Sequence, residues 1–432
     1  MPAVMWFRRD LRLSDNPALL AAADGGAEVL PLFVVDPALW RPSGPSRRAY
    51  LADSLRDLGS RTGLVIRTGD PVTAVVRAAR EVGADRVHVA ADFGPYGRAR
   101  DTRVETALAA YDIELVRTGS PYAVAPGRVT KGDGSAYRVY TPYWRAWTAH
   151  GWSEPAGEPG PVRWLAADSD GVPAVDLPDG LELPAAGEQA ARERWRAYRT
   201  ERLAEYERHR DRPDLDATSH LSVHLKWGEI HPRTLLADIA GMTGPGPASF
   251  RKELAWREFY ADVLFHHPES AREYLKPEFG QMAYDEPGDQ LAAWREGRTG
   301  YPIVDAGMRQ LRATGWMHNR VRMIVASFLV KDLHLEWQHG ARHFLHWLVD
   351  GDLASNQHGW QWTAGCGTDA APYFRVFNPV TQGRTFDPEG EYIRRWVPEL
   401  REAADPHEPV DPIVDHAAER REALERYERI RR

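Results

Sequence analysis

Short apolar runs alternate with amphipathic stretches along the first 120 residues. The runs are Val4–Phe7, Val29–Val35, Leu64–Arg67, Arg86–Ala91 and Ile113–Val116; between them Asn16–Ala23, Arg47–Arg61, Pro71–Val82 and Arg98–Tyr111 carry apolar residues at helical spacing. This five-strand βα alternation predicts an α/β unit with a doubly wound five-stranded parallel sheet. No G-x-G-x-x-G loop follows a strand, so nothing marks a dinucleotide site there. A ligand of such a sheet is expected beyond the strand C-termini, at the switch point.

From Gly151 to Gly187 Pro and Gly recur, and seven acidic residues face the single Arg163, the composition of an irregular linker wrapped over a surface. After about Glu188 the periodicity becomes helical. Ser249–His267, Gln290–Arg298, Val304–Thr314, Asn319–Leu333 and Ala341–Leu348 repeat apolar residues every three or four positions, predicting an all-α C-terminal domain. The expected division is an α/β domain over 1–125, a connecting linker over 126–190 and a helical domain over 191–432. The Arg/Glu-rich tail, Asp411 to Arg432, reads as a solvated helix of i,i+4 pairs.

Composition narrows the class. A chain of 432 residues exceeds one typical core, and it has neither an apolar run of membrane-spanning length nor a signal-peptide layout, so a cytoplasmic protein without a membrane partner is expected. Its one cysteine, Cys366, excludes an internal disulfide framework and a Cys-based metal site, and no metal-ligand spacing appears. Residues 1–150 hold 20 basic against 16 acidic side chains, the remainder 35 against 46, so any contact with nucleic acid needs a local basic face.

The densest chemistry lies in Asp350–Pro379, DGDLASNQHGWQWTAGCGTDAAPYFRVFNP. Asp350 and Asp352 can accept from a ring imide or a ribose hydroxyl, Asn356 can donate and accept at a ring nitrogen, and Trp360 and Trp362 offer π-faces. Together these suit a planar redox cofactor, a flavin. Taken singly, each residue suits a turn or core packing equally well. Upstream, Ala217–Ser222 (ATSHLS) groups hydroxyls before a helical stretch, a turn able to meet a diphosphate or merely to cap a helix. In Glu253–Tyr260 (ELAWREFY) the spacing lets an acid and an indole point into one cavity, or sets Glu253 and Arg257 as an i,i+4 salt bridge on an amphipathic helix. Trp316–Met323 (WMHNRVRM) adds Asn319, Arg320, Arg322 and Met323, with Arg322 placed to pair with Asp350.

The 350–379 string resembles, almost letter for letter, the C-terminal half of the photolyase and cryptochrome family of flavoproteins. The likeness spans nearly the whole chain, weakest across 151–190 and after about 400, and sits nearest the class I enzymes that repair cyclobutane pyrimidine dimers. It implies FAD held by Tyr206, Thr218, Ser219, Leu221, Ser222, Arg257, Asn319, Arg322, Asp350, Asp352 and Asn356. It implies a dimer site of Glu253, Trp256, Asn319, Met323 and Trp362, with Arg210 and Arg320 on DNA phosphates and the target base extruded from the duplex. Asn319 matches the dimer-repair pattern; (6-4) photolyases carry His there. Asn356 matches photolyases, where plant cryptochromes have Asp, and suits a reduced anionic flavin.

Family members relay electrons through three tryptophans. Trp360 and Trp337 match the inner two, and Tyr284 stands at the outer place. The stretch Asp92–Asp101 (DFGPYGRARD) and Lys226 resemble members with an 8-hydroxy-5-deazaflavin antenna; methenyltetrahydrofolate is the alternative. The implied activity is light-driven repair of dimer-containing DNA by reduced FAD, as a deoxyribodipyrimidine photo-lyase working as a monomer. The rival expectations are a signalling cryptochrome and a light-independent electron-transfer flavoprotein.

Overall fold

The computed structural model describes residues 1–369, 373 and 375–431. Strands β1 (Ala3–Phe7), β2 (Glu28–Val35), β3 (Val65–Thr68), β4 (Arg86–Val89) and β5 (Glu114–Arg117) form a parallel sheet in the order β3-β2-β1-β4-β5. Val4 of β1 lies opposite Leu30 on one side and Val87 on the other. Successive β1 residues enter opposite cores. Val4 and Trp6 pack with Val75, Val104 and Leu108, under helices Pro71–Glu81 and Pro95–Ala109. Met5 and Phe7 pack with Leu19, Leu55 and Leu58, under helices Pro17–Ala22 and Pro45–Thr62. A sheet covered on both faces needs strands apolar on both faces, which is why they read as unbroken runs.

Three features differ from the sequence expectation. A sixth strand, β6 (Arg163–Trp164), extends the sheet edge by pairing with Glu28 and Val29; two residues are too few to give a periodic signal. Tyr140–His150, inside the expected linker, is a helix. Its stability comes from tertiary burial, since Tyr143 and Trp147 are buried and the Trp147 indole donates to Glu258 at 2.7 Å. The tail helix, His416–Arg431, is docked and not freely solvated: Tyr427 stacks on Tyr373 at 4.4 Å and Glu419 meets His334 at 2.8 Å.

The C-terminal half is helical, as the periodicity predicts. Helices Pro245–His266, Asp289–Glu296, Pro302–Thr314, Asn319–Lys331, Trp337–Trp347 and Leu353–Ala364 carry this part of the fold, and all but the first contribute to one core containing Trp294, Phe328, Trp337 and Trp360. Proline opens the first turn of the 245–266 and 302–314 helices, where its missing N–H costs nothing.

Buried polar groups tie the helical part to the sheet unit. Glu229, with no exposed surface, accepts from Tyr50 and Ser54 at 2.6 Å each and from the Gly187 amide at 2.7 Å. Asp15 accepts from Arg233 at 2.6 Å and Thr234 at 3.0 Å. Gly228 stands where the two parts touch: at φ 70°, a Cβ there would lie 1.9 Å from the Arg9 carbonyl oxygen, so only glycine permits the approach.

Candidate functional site

Three helices bring the sequence-predicted residues together. The 353–364 helix, carrying Asn356, Trp360 and Trp362, packs against both the 245–266 helix, carrying Glu253, Trp256 and Arg257, and the 319–331 helix, carrying Asn319, Arg320, Arg322 and Met323. Exposure is graded across the group. Asp350, Asn356 and Trp360 are buried, Glu253, Trp256, Met323 and Trp362 are half-buried, and Asn319 is exposed. The polar Asp350 and Asn356 therefore lie deepest, with Trp360, and an acid, two indoles and a thioether are the more accessible members.

At the bottom, Arg322 donates to Asp350 Oδ2 at 2.9 Å and to the Met317 carbonyl at 2.8 Å, forming the pair expected from the sequence. The other Asp350 oxygen, Oδ1, is buried with no protein partner. An orphaned buried carboxylate oxygen is costly unless something donates to it, so the position fits the imide N–H of a flavin ring. The Asn356 amide group donates to Ala341 O at 3.2 Å and Gln357 Oε1 at 2.8 Å, which turns its carbonyl oxygen to whatever occupies the site. Asp352 caps the 353–364 helix, accepting from the Ser355 amide at 3.1 Å, and pairs with Arg9 at 2.8 Å. Burial opposes its ionisation, but the fields of Arg9, Lys226 and Arg257 outweigh burial and hold the carboxyl below its ordinary range.

The diphosphate-type turn is also formed. Ser219 Oγ accepts the Leu221 amide at 3.3 Å, the Ser219 carbonyl accepts from Arg194 at 2.8 Å, and His220 takes φ 51°. Among the described residues the Thr218 and Ser222 hydroxyls make no protein hydrogen bond, leaving them free to meet phosphate oxygens. Tyr206, on the short helix Tyr206–His209, sets its ring edge against Phe250 at 5.7 Å.

At the rim, Trp256 lies flat on Tyr140, with ring centroids 3.7 Å apart and planes 9° apart. Tyr140 is fixed by its hydroxyl donating to the Lys252 carbonyl at 2.7 Å. Glu253 accepts from Arg210 at 2.6 Å; burial nonetheless raises its pKa above the usual carboxylate value, Arg210 only moderating the rise. Arg210 is thus held by Glu253 and is not a free phosphate contact in this structure. Arg320 projects from the next helix, paired with Asp211 at 2.9 Å and lying over Phe386 at 4.3 Å. Arg257 turns away from the acid one turn before it, donating to the carbonyls of Pro121 and Leu225 at 3.1 Å each.

Trp360 is boxed by Phe344 at 4.9 Å and Trp294 at 6.1 Å, and its ring lies against the backbone at Gly340. Gly340 is one turn from the fully buried Trp337 on the same helix. The ring packed on Trp337 is Tyr274, at 6.2 Å and 84°, and Tyr284 stacks in turn on Tyr274 at 6.1 Å and 17°.

The family model described as the FAD binding domain of DNA photolyase matches residues 250–429, and the one described as DNA photolyase matches residues 3–161. The chain is 43% identical to the deoxyribodipyrimidine photo-lyase of Streptomyces griseus, covering 99% of each. The chain belongs to the DNA photolyase family. Among solved structures it is similar to a class III photolyase from Agrobacterium tumefaciens (TM-score 0.90, 36% identity, 100% of this chain and 98% of that one). It is also similar to an archaeal photolyase from Sulfolobus tokodaii solved with two FAD molecules, with the implication of a novel light-harvesting cofactor (TM-score 0.85, 29% identity, 99% and 100%).

In this photolyase-family chain the sheet switch point lies between β1 and β4, and a second charged cluster gathers there. Arg8 meets Asp101 at 2.5 Å, Arg100 meets Asp92 at 3.2 Å and Asp101 at 2.8 Å, and the Tyr96 hydroxyl donates to Asp36 at 2.5 Å. Lys226 lies nearby over Trp227 at 5.2 Å, and burial and the neighbouring Arg9 push its pKa down to about 7. Sequence reasoning missed Arg9, Tyr140 and Tyr274. Arg9 was findable as a charge directly beyond the C-terminal end of β1; the two tyrosines carry no local signal.

Proposed function

We propose that the chain is a deoxyribodipyrimidine photo-lyase of the class I type, repairing cyclobutane pyrimidine dimers in DNA in a light-dependent reaction. The observation that carries this reading is the rim. A half-buried indole held flat by Tyr140 stands beside an acid whose pKa is raised, on a helix packed against the one that carries the buried Asn356, while Asp350, paired with Arg322, fits a flavin. When bound in its reduced form, FAD supplies the photoexcited electron that splits the dimer and then takes it back.

The chain's own groups do the rest. Trp256, Met323 and Trp362 give an extruded dimer apolar faces to pack on, Glu253 and Asn319 hydrogen-bond its polar edges, and Arg320 meets a neighbouring phosphate. Tyr206, Thr218, Ser219, Leu221, Ser222 and Arg257 hold the remainder of FAD, and Asp352 its ribose side. Residues 1–125 serve the antenna, 126–190 connect, and 191–432 bind FAD and DNA, in a monomer.

The switch-point cluster, with Lys226 beside it, supports a planar antenna chromophore, 8-hydroxy-5-deazaflavin in preference to methenyltetrahydrofolate. A second flavin, as in the archaeal neighbour, presents the same ring geometry, and extraction with mass analysis separates the three. The test of function is repair of a dimer-containing oligonucleotide by reduced protein under blue light and in darkness. Repair only in the light is expected, and its absence rejects the reading. Glu253→Ala should lower repair yield with FAD retained; loss of FAD instead means the residue belongs to the cofactor site.

A further inference from the structure

Resting on the relay reading of Trp360 and Trp337, we propose that Tyr274 is the residue that gives an electron to Trp337, and that Glu336 takes its phenolic proton. Tyr284, which stands at the family's outer position, is then a step beyond Tyr274 and not the direct partner of Trp337.

The geometry separates the two tyrosines. Tyr274 is the ring in contact with Trp337, at 6.2 Å, whereas Tyr284 stacks on Tyr274. Oxidising a phenol at moderate potential requires its proton to leave, so a relay tyrosine needs an acceptor within hydrogen-bond reach. Tyr274 has one: its hydroxyl donates to Glu336 Oε1 at 3.1 Å. Among the described hydrogen bonds the Tyr284 hydroxyl has no carboxylate partner. Glu336 precedes Trp337 directly and makes no side-chain capping bond to its helix, so its carboxylate is available for this purpose.

When Trp337 has lost an electron toward Trp360, one electron passes from Tyr274 to the Trp337 radical cation, and the phenolic proton passes to the Glu336 carboxylate. Trp337 is restored, leaving a neutral Tyr274 phenoxyl radical and a protonated Glu336. A small-molecule thiolate, as external reductant, then gives one electron to the phenoxyl and leaves as a thiyl radical, and the proton goes back from Glu336.

The test is time-resolved absorption and freeze-trapped electron paramagnetic resonance on illuminated, FAD-loaded protein with oxidised flavin, in normal and heavy water. A tyrosyl signal is expected in the parent and in Tyr284→Phe, and its loss in Tyr274→Phe, where the radical stays on Trp337. Glu336→Gln should slow tyrosyl formation about 100-fold, the low end of what a positioned proton acceptor contributes, with a solvent isotope effect in the parent. A tyrosyl signal that survives Tyr274→Phe but disappears in Tyr284→Phe overturns the assignment while leaving the Trp360–Trp337 relay intact. A parent that yields no protein radical overturns both.

Discussion

Gly340→Ala tests the packing that places Trp360. A Cβ at position 340 would lie 2.0 Å from Trp360 Cη2 and 2.4 Å from Cζ3. Carbon atoms in contact sit about 3.5–4.0 Å apart, so the indole or the helix must retreat by roughly 1.5 Å. There is little room, because Trp360 is 3% exposed and closed in by Phe344 and Trp294. Overpacking of this kind costs about 1–3 kcal/mol, and the helix-propensity gain of Ala over Gly returns about 1 kcal/mol. With both neighbours fixed the upper part of the range applies, giving a net loss of about 1–2 kcal/mol. Urea unfolding followed by tryptophan fluorescence should show a lower midpoint at unchanged slope. Displacing the indole should also slow flavin photoreduction under steady illumination. A variant as stable as the parent, or stabilised as an open helix glycine would be, refutes the reasoning.

Asp350→Asn removes the carboxylate whose unpartnered Oδ1 is offered to the flavin imide; losing a hydrogen bond to a charged group costs about 1.5–3 kcal/mol, so FAD affinity of the apoprotein, read by fluorescence titration, should fall about 10-fold or more. Arg320→Ala should flatten the slope of log affinity for dimer-containing DNA against log salt by about 0.9. Arg210→Ala should flatten it less: both guanidinium groups are already paired, but Arg210 is held more tightly, at 2.6 Å, by the more enclosed Glu253, whereas the Arg320 partner Asp211 lies at 2.9 Å and is more exposed. Burial pushes His318 down to about 4 from its ordinary 6.5, so the unfolded chain takes the proton first; its contribution is intact above pH 6.5 and drains as pH falls toward 4. At pH 5 the loss is about 2 kcal/mol, and His318→Asn, which keeps a capping acceptor for the Arg320 amide, should show a correspondingly smaller fall in urea stability between pH 7 and 5.

What was legible in the sequence follows from how far apart the interacting residues are. The five strands were readable because each is buried on both faces, and the main helices because one stripe of each is. Asp350, Asn356 and Trp360 were readable as a group because they share one turn-and-helix segment. The Trp256–Tyr140 stack joins residues more than a hundred positions apart, and Tyr140 lies on a helix that tertiary burial alone sustains. Tyr274 likewise meets Trp337 from an irregular stretch, where no periodicity exists to mark it. The docked tail was missed for a related reason: its alternating Arg and Glu describe a solvated face, and the anchoring comes from single residues such as Tyr427.

The Arg9–Asp352 pair, at 2.8 Å, links the sheet to the helical part. Asp352 caps the helix that bears Asn356, and the cation it pairs with leaves the sheet directly after β1, beside the switch point. One carboxylate therefore ties the proposed flavin segment to the switch-point cluster. Lys226 faces the same carboxylate, and burial, with the permanently charged Arg9 beside it, lowers its pKa to about 7. An acidic chromophore seated at the switch point would draw a proton onto Lys226 and strengthen its attraction to Asp352, tightening the joint from the antenna side. The backbone contact at Gly228 allows no slack in that joint. Transfer of excitation between two chromophores depends on a fixed separation and orientation, and if the proposed antenna binds at the switch point, Arg9, Gly228 and Asp352 are the residues that would fix it.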